Sequence, residues 1–219
     1  MIHYVDNFLP QDQFDALARR VAGRFGTGQT DTLIEGSDKP LRVTHHEHSG
    51  DWGEGCNFIG QECRPAIEKM ITTMEDLGIQ ELKNWSIWYQ YIIDTMTVPT
   101  HRDQGLRKSD QANTYTAILY TSDWQEGWGG EFIVGEPIYE ELEGHMSMAM
   151  PGASGLKNLT HVIKPLPNRM LIWSREEWHA VQKVTNTDPD YVRSFFGTGW
   201  SSIDTHDNSW KRTLIPGAK

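Results

Sequence analysis

The feature that most narrows the fold is a change of rhythm at residue 84. Upstream, apolar residues recur at helical spacing; downstream they recur every second residue. Trp85, Ile87, Tyr89, Tyr91 and Ile93 alternate with Ser86, Trp88, Gln90 and Ile92, the period of a strand whose successive side chains leave on opposite faces. Further strand-like segments follow at 113–121, 130–134, 160–164, 169–174, 177–184 and 191–200, each bounded by Gly, Pro, Asn or Asp. Before the change, Phe14, Leu17, Ala18, Val21 and Phe25 predict a helix after Pro10, stopped by Gly26 and Gly28. Ile67, Met70, Ile71, Met74 and Leu77 predict a second helix after Pro65, ending at Gly78. Residues 26–60, rich in Gly, Asp and His, read as loops with at most short strands. Helices that precede the strands, rather than alternate with them, argue against a doubly wound sheet. The expectation is a mainly β protein with flanking helices, a jelly roll or cupin-like sandwich with the helices on its outer face.

Neither an internal repeat nor a linker-like tract interrupts the 219 residues, so the chain reads as a single domain, 1–219. Its expected parts are an N-terminal helical and loop region over about 1–83 and a β core over about 84–200. Thirty acids against twenty Lys and Arg give a net charge of −10, which argues against nucleic acid or an anionic membrane as partner. The chain has no apolar run near the roughly 18 residues of a membrane span. Met1 to Asp6 lacks the basic start and apolar core of a signal peptide. Cys56 and Cys63 are too few for a disulfide framework, and a cytoplasmic location is expected.

His101-Arg102-Asp103 carries the sharpest chemical signal, just after Pro99 at the end of a strand. In an extended segment residues i and i+2 share a face, so this imidazole and carboxylate can grip one metal ion. His179, in Glu176-Glu177-Trp178-His179-Ala180-Val181, is the best third ligand. Two His and one carboxylate on one face of an octahedron leave three positions open, which suits non-haem Fe(II). Taken alone the pair is weak evidence, because nine His and thirty acids produce H-x-D by chance. Arg193 strengthens it. Segments 177–184 and 191–200 are joined by the turn-forming string Thr185 to Asp190 and are expected to pair as a hairpin. That register sets Arg193 near Gln182, on the order of 10 Å from His179. A buried Arg pairs with an anion, and a dicarboxylate chelating the metal would reach it; an internal salt bridge is the alternative.

Together, His101-x-Asp103, Gly129-Gly130-Glu131-Phe132, His179-Ala180-Val181-x-x-Val184, Arg193-Ser194-Phe195 and Trp200 resemble the Fe(II)/2-oxoglutarate-dependent oxygenases. Within them they look most like the prolyl 4-hydroxylase branch. The resemblance covers about residues 85–200. It implies a double-stranded β-helix with Fe(II) at one mouth, held by His101, Asp103 and His179. It further implies 2-oxoglutarate with its far carboxylate on Arg193, O₂ as oxidant and ascorbate as an accessory reductant. The implied reaction hydroxylates a C–H bond of a prolyl, peptidyl or small-molecule substrate and releases succinate and CO₂. Family halogenases put a small residue at the position of Asp103, so hydroxylation is the outcome expected here. A nucleic-acid demethylase of the superfamily carries a second arginine six residues after the first, where this chain has Gly199. A cupin-like binding module without turnover and a zinc hydrolase on the same triad are the other readings.

In the resembled family a tyrosine near the offset of Tyr91 lines the iron pocket or bonds the co-substrate, while a core role fits the same residue. Tyr115 is placed beside Arg193, with Thr116 and Tyr120 facing away by parity. Gly129 and Gly130 read as a tight turn, Phe132 and Val134 as pocket walls. Trp124 and Trp128 form either a rim or a cap, and Arg102 and Arg107 flank the metal mouth. His45-His46-Glu47-His48 reads as a solvated or substrate-facing loop rather than a second metal site.

Overall fold

Helix α1 (Gln11–Arg24) starts directly after Pro10, whose carbonyl accepts the first helical bond from the Phe14 amide at 2.9 Å. It buries Phe14, Leu17 and Val21, one stripe at the spacing the sequence predicts. Helix α2 (Arg64–Asp76) has proline in its first turn and buries Ala66, Ile67, Met70 and Met74. Gly78 ends it with φ +77°, a left-handed conformation that leaves the Ile79 amide bonded to the Met74 carbonyl at 2.9 Å. The structure, a computed structural model, describes residues 1–24, 29–32, 42–51, 61–79, 84–93, 98–103, 114–138, 155–186, 188 and 190–201. Phe25, Cys56 and Arg107 lie outside them.

Among the described residues eleven strands follow one another as β1 (Ile2–Val5), β2 (Gln29–Thr32), β3 (Arg42–Asp51), β4 (Asn84–Ile93), β5 (Val98–His101), β6 (Thr114–Tyr120), β7 (Phe132–Pro137), β8 (Leu156–Ile163), β9 (Met170–Ser174), β10 (His179–Val181) and β11 (Val192–Ser201). They form a major sheet in the order β1-β9-β6-β11-β4-β3-β2 and a minor sheet in the order β5-β10-β7-β8. The mainly β, jelly-roll expectation therefore holds.

Two expectations do not. Residues 26–60 contain β3, a ten-residue strand paired along its length with β4, and the His45 to His48 string lies within it rather than in a loop. A register shift between His46 and His48 takes Glu47 out of the ladder. Arg-Val-Thr-His-His-Glu-His has no apolar alternation to announce a strand; pairing with β4 makes it one. Nor do β10 and β11 form a hairpin. β10 pairs with β5 and β7, whereas β11 pairs with β4 and β6 in the other sheet. The intervening residues cross between the sheets, tied to the 127–130 turn by the Thr185 amide on the Trp128 carbonyl at 2.7 Å. Turn-forming residues suit a crossing as well as a reversal, and sequence alone does not separate the two.

The central strands β9, β6, β11 and β4 of the major sheet bury residues on both faces. Against α1 and α2 the sheet packs Tyr89, Tyr91, Ala117, Leu119, Met170, Ile172, Phe196 and Trp200. Toward the minor sheet it presents Ile92, Ile118, Tyr120, Leu171, Trp173 and Phe195, met by Phe132, Val134 and Val181. The functional groups lie on this inner face.

Candidate active site

Antiparallel pairing brings the two histidines together. His101 at the end of β5 stands directly opposite His179 at the start of β10, and their rings are 4.3 Å apart between centroids. Asp103, two residues past His101, returns to the same side. Its Oδ1 lies 3.4 Å from His101 Nε2 and 3.6 Å from His179 Nε2. The three ligand atoms all fall within 4.8 Å of one another, a spacing at which one ion can touch all three. Nitrogen and oxygen donors on one side of a site suit a facial triad with open positions.

The Asp103 carboxylate and the His179 ring are oriented from behind. Thr116 Oγ1 donates to Asp103 Oδ2 at 2.9 Å, and Trp173 Nε1 donates to the same oxygen at 3.0 Å. Oδ2 is thereby occupied and Oδ1 left toward the histidines. His179 Nδ1 meets the Glu177 carbonyl at 2.9 Å; a carbonyl only accepts, so Nδ1 carries the proton and Nε2 presents its lone pair. Phe132 stacks on His179 with centroids 4.9 Å apart. Burial pushes His179 down to about 4, against the pull of the Asp103 charge, so the ring is neutral near pH 7. For Asp103, burial alone would raise the pKa. The charge of His179 and the hydrogen bond and charge of His101 outweigh it, with Arg175 adding to them, and hold the carboxyl well below the usual carboxylate range.

At the other end of the inner face lies Arg193, 1 % exposed, with Nε, Nη1 and Nη2 all buried and, among the described residues, none hydrogen-bonded. The Tyr120 hydroxyl beside it is also buried without a partner, and the guanidinium carbon sits 5.1 Å from the Tyr120 ring centroid and 5.8 Å from that of Phe195. Burial pushes the Tyr120 phenol up, only partly offset by the Arg193 charge. An unpaired buried charge costs several kcal/mol, so this arrangement is complete only with an anion. Gly130, at φ +77°, makes room for it: a β-carbon there would come within 3.0 Å of Arg193 Cδ. Thr116 and Tyr120 are four residues apart on one face of β6, so the ends of the inner face that they mark are separated by about 13 Å.

The remaining sequence expectations sort by face. Arg193 shares the inner face with Phe195, but it stands opposite Ile92 of β4 rather than near Gln182. Tyr91 lies on the helix side, where its hydroxyl donates to the Val21 carbonyl of α1. Tyr115 is also on that side, half-buried against the same cluster. Neither tyrosine faces Arg193, and the parity is inverted: Thr116 and Tyr120 point inward. Both faces of the sheet are apolar, so alternation carries no sign of which is which. Thr116, Trp173 and Tyr120 are the site residues that sequence reasoning missed. Phe132 and Val134 are inner walls as expected. Trp124 donates to the Gly129 carbonyl at 2.7 Å and Trp128 packs on Tyr191, so both brace the turn.

Known proteins share the fold. The chain resembles a prolyl-4-hydroxylase from Pseudomonas putida at 17 % identity, with 91 % of each chain covered and a TM-score of 0.58. It also resembles the Trichoplax adhaerens prolyl hydroxylase in complex with a hypoxia inducible factor peptide fragment, at 14 % identity, 92 % and 83 % coverage and a TM-score of 0.61. A third similar structure is HygX from Streptomyces hygroscopicus with nickel, 2-oxoglutarate and hygromycin B bound, at 13 % identity, 91 % and 82 % coverage and a TM-score of 0.57. These likenesses establish a shared double-stranded β-helix. No curated protein matches the chain in sequence. Residues 88–201, just over half of the chain, match the family described as the 2OG-Fe(II) oxygenase superfamily, and the chain belongs to it.

Proposed function

We propose that this oxygenase is a hydroxylase of a prolyl, peptidyl or small amino-acid substrate, in which His101, Asp103 and His179 hold the iron and Arg193 holds the far carboxylate of 2-oxoglutarate. The observation that carries the reading is the orphaned guanidinium of Arg193 on the same inner face as the His–Asp–His group. A structural arginine would have found a partner. Among the described residues no anion meets it, and in this reading the co-substrate supplies one.

When bound, Fe(II) and 2-oxoglutarate supply the oxidising chemistry, coupling decarboxylation of the keto acid to succinate and CO₂ with oxygen insertion from O₂ into a C–H bond. The chain's residues position and protect. Nε2 of both histidines and Oδ1 of Asp103 are the donor atoms, and the Nδ1 proton of His179 stays on the Glu177 carbonyl. Arg193 clamps the far carboxylate, with the Tyr120 hydroxyl as a further donor. Phe132, Val181 and Phe195 line the space between and exclude water. The prolyl hydroxylases among the similar structures favour a proline ring as the oxidised group.

Anaerobic titration of the full chain with Fe(II) and 2-oxoglutarate tests the site through the visible metal-to-ligand charge-transfer band. Oxygenation with a panel of amino acids and proline-containing peptides, read as succinate and hydroxylated product, tests the reaction. His101→Ala and His179→Ala should abolish the band, and Arg193→Ala should shift its formation to far higher 2-oxoglutarate. An unchanged titration in all three variants overturns the assignment.

A further inference from the structure

The ladder that joins the two histidine-bearing strands is short and irregular. β5 is an edge strand of the minor sheet, with β10 as its neighbour. Its two described rungs join His101 to His179 and Val98 to Val181, and a register shift between them sets three residue steps on β5 against two on β10. Pro99, within that irregular stretch, has no N–H to give to the ladder. β5 ends at His101 and β10 begins at His179, so Asp103 lies past the last rung. From the major sheet Thr116 and Trp173 hold its Oδ2. On the minor-sheet side something else has to keep residues 101–103 against 177–179.

Arg102 and Trp178 make that contact. Continuing the His101–His179 rung by one residue sets Arg102 opposite Trp178, on the face away from the three proposed ligands. The guanidinium carbon lies 4.3 Å from the Trp178 ring centroid, inside the roughly 6 Å range of a cation–π contact. Arg102, expected to flank the metal mouth, is therefore on the outer face of the sheet. The ring beneath it is a fixed platform. It packs against Ile133, Leu156 and Ala180, and the Trp178 carbonyl accepts from the Gly135 amide of β7 at 3.3 Å. Among the described residues Arg102 has no ion pair, so the ring is its anchor.

We propose that Arg102 and Trp178 are positioning residues for the metal site, a clasp on the outer face that keeps the strand ends bearing His101, Asp103 and His179 in register. The inference rests on the assignment of those three residues as metal ligands. Electrostatics alone predicts the reverse effect. A cation near a divalent ion repels it, so removing the charge at position 102 would tighten metal binding. A clasp loosens metal binding when it is removed, because the three donor atoms then have to be brought together at the moment the ion binds. The sign of the change separates the two.

The test is a Co(II) titration of the metal-free full chain, read by its visible ligand-field bands, beside equilibrium denaturation of the same metal-free protein. Arg102→Ala should weaken Co(II) binding by roughly 3- to 10-fold. Arg102→Lys, which returns a cation to the ring, should recover part of that loss. Trp178→Leu should weaken binding by a similar factor. Combined with Arg102→Ala it should lose no more than about the larger single loss, since both remove the same contact. If Trp178→Leu does not fold, the two Arg102 variants decide the question by themselves. A merely structural pair would lower the denaturation midpoint and leave the Co(II) affinity of the folded protein as it was. Unchanged or tighter binding in Arg102→Ala overturns the proposal, as do losses that simply add in the double variant. If the wild-type chain then binds Co(II) and His101→Ala does not, only the clasp fails. A wild-type chain that binds no Co(II) sinks the metal assignment with it.

Discussion

The two faces of the major sheet differ in how completely they satisfy their buried polar groups. On the helix side Arg20 donates to the Tyr89 hydroxyl at 2.9 Å, Cys63 lies 3.2 Å from the same oxygen, and Tyr91 donates to the Val21 carbonyl. Trp200 Nε1 donates to Thr198 at 2.8 Å, and Thr198 to the Ala117 carbonyl at 3.2 Å. On the inner side Thr116 and Trp173 bond Asp103, but the Tyr120 hydroxyl and all three Arg193 nitrogens have no hydrogen-bond partner among the described residues. One strand, β11, carries both behaviours at alternate positions, Thr198 and Trp200 outward, Arg193 and Phe195 inward. Polar groups that hold the fold are satisfied by the chain. Those that the described residues leave unsatisfied are the ones the proposed co-substrate would meet.

Substituting Arg193 by Met tests this division most strongly. Removing the guanidinium should weaken 2-oxoglutarate binding by roughly 100-fold or more. Stability should hold or rise by about 1–4 kcal/mol, because a buried unpaired charge is replaced by an apolar chain of similar length. Equilibrium denaturation and 2-oxoglutarate titration read the two effects; a marked loss of stability would place Arg193 among the structural residues. Leu17→Ala is the counterpart on the helix side, expected to cost about 2–5 kcal/mol while the folded fraction binds 2-oxoglutarate as before. Thr116→Val and Trp173→Phe free Asp103 Oδ2, and each should reduce metal affinity by roughly 10- to 100-fold in a Co(II) titration. The tyrosine pair sharpens the contrast. Tyr91→Phe should lose about 1 kcal/mol of stability, whereas Tyr120→Phe should lose none and weaken co-substrate binding instead.

The smallest expected effect lies away from both faces. Arg169 donates to Asp6 at 2.8 Å, and that hydrogen bond, opposed by partial burial and helped by the guanidinium charge, lowers the Asp6 pKa. A carboxyl whose folded pKa is depressed contributes stability above its unfolded value, near 3.8, and loses it as pH falls through the folded one. Asp6 is half-exposed, so Asp6→Asn should cost no more than about 1 kcal/mol at neutral pH and flatten the acid limb of the stability profile.

Much of this molecule was legible in its residues, and what was not has definite causes. Helical spacing placed α1 and α2, and the i, i+2 rule placed His101 and Asp103 on one side. The spacing from His179 to Arg193 suggests a hairpin that the structure does not contain; Arg193 is buried beside aromatic residues, but the route to it from His179 crosses from one sheet to the other. Tyr91 and Tyr115 were preferred to Tyr120 because alternation on a sheet apolar on both faces gives period without polarity. β3 was missed because its residues are polar and its partner supplies the reason to be extended.

The double hold on Asp103 Oδ2 has a consequence of its own. Thr116 and Trp173 belong to β6 and β9, so they remain in place whatever occupies position 103. Shortening Asp103 to Ala would leave a hydroxyl and an indole N–H aimed at an empty socket, where formate from solution could dock and restore by chemical rescue the oxygen the chain no longer provides.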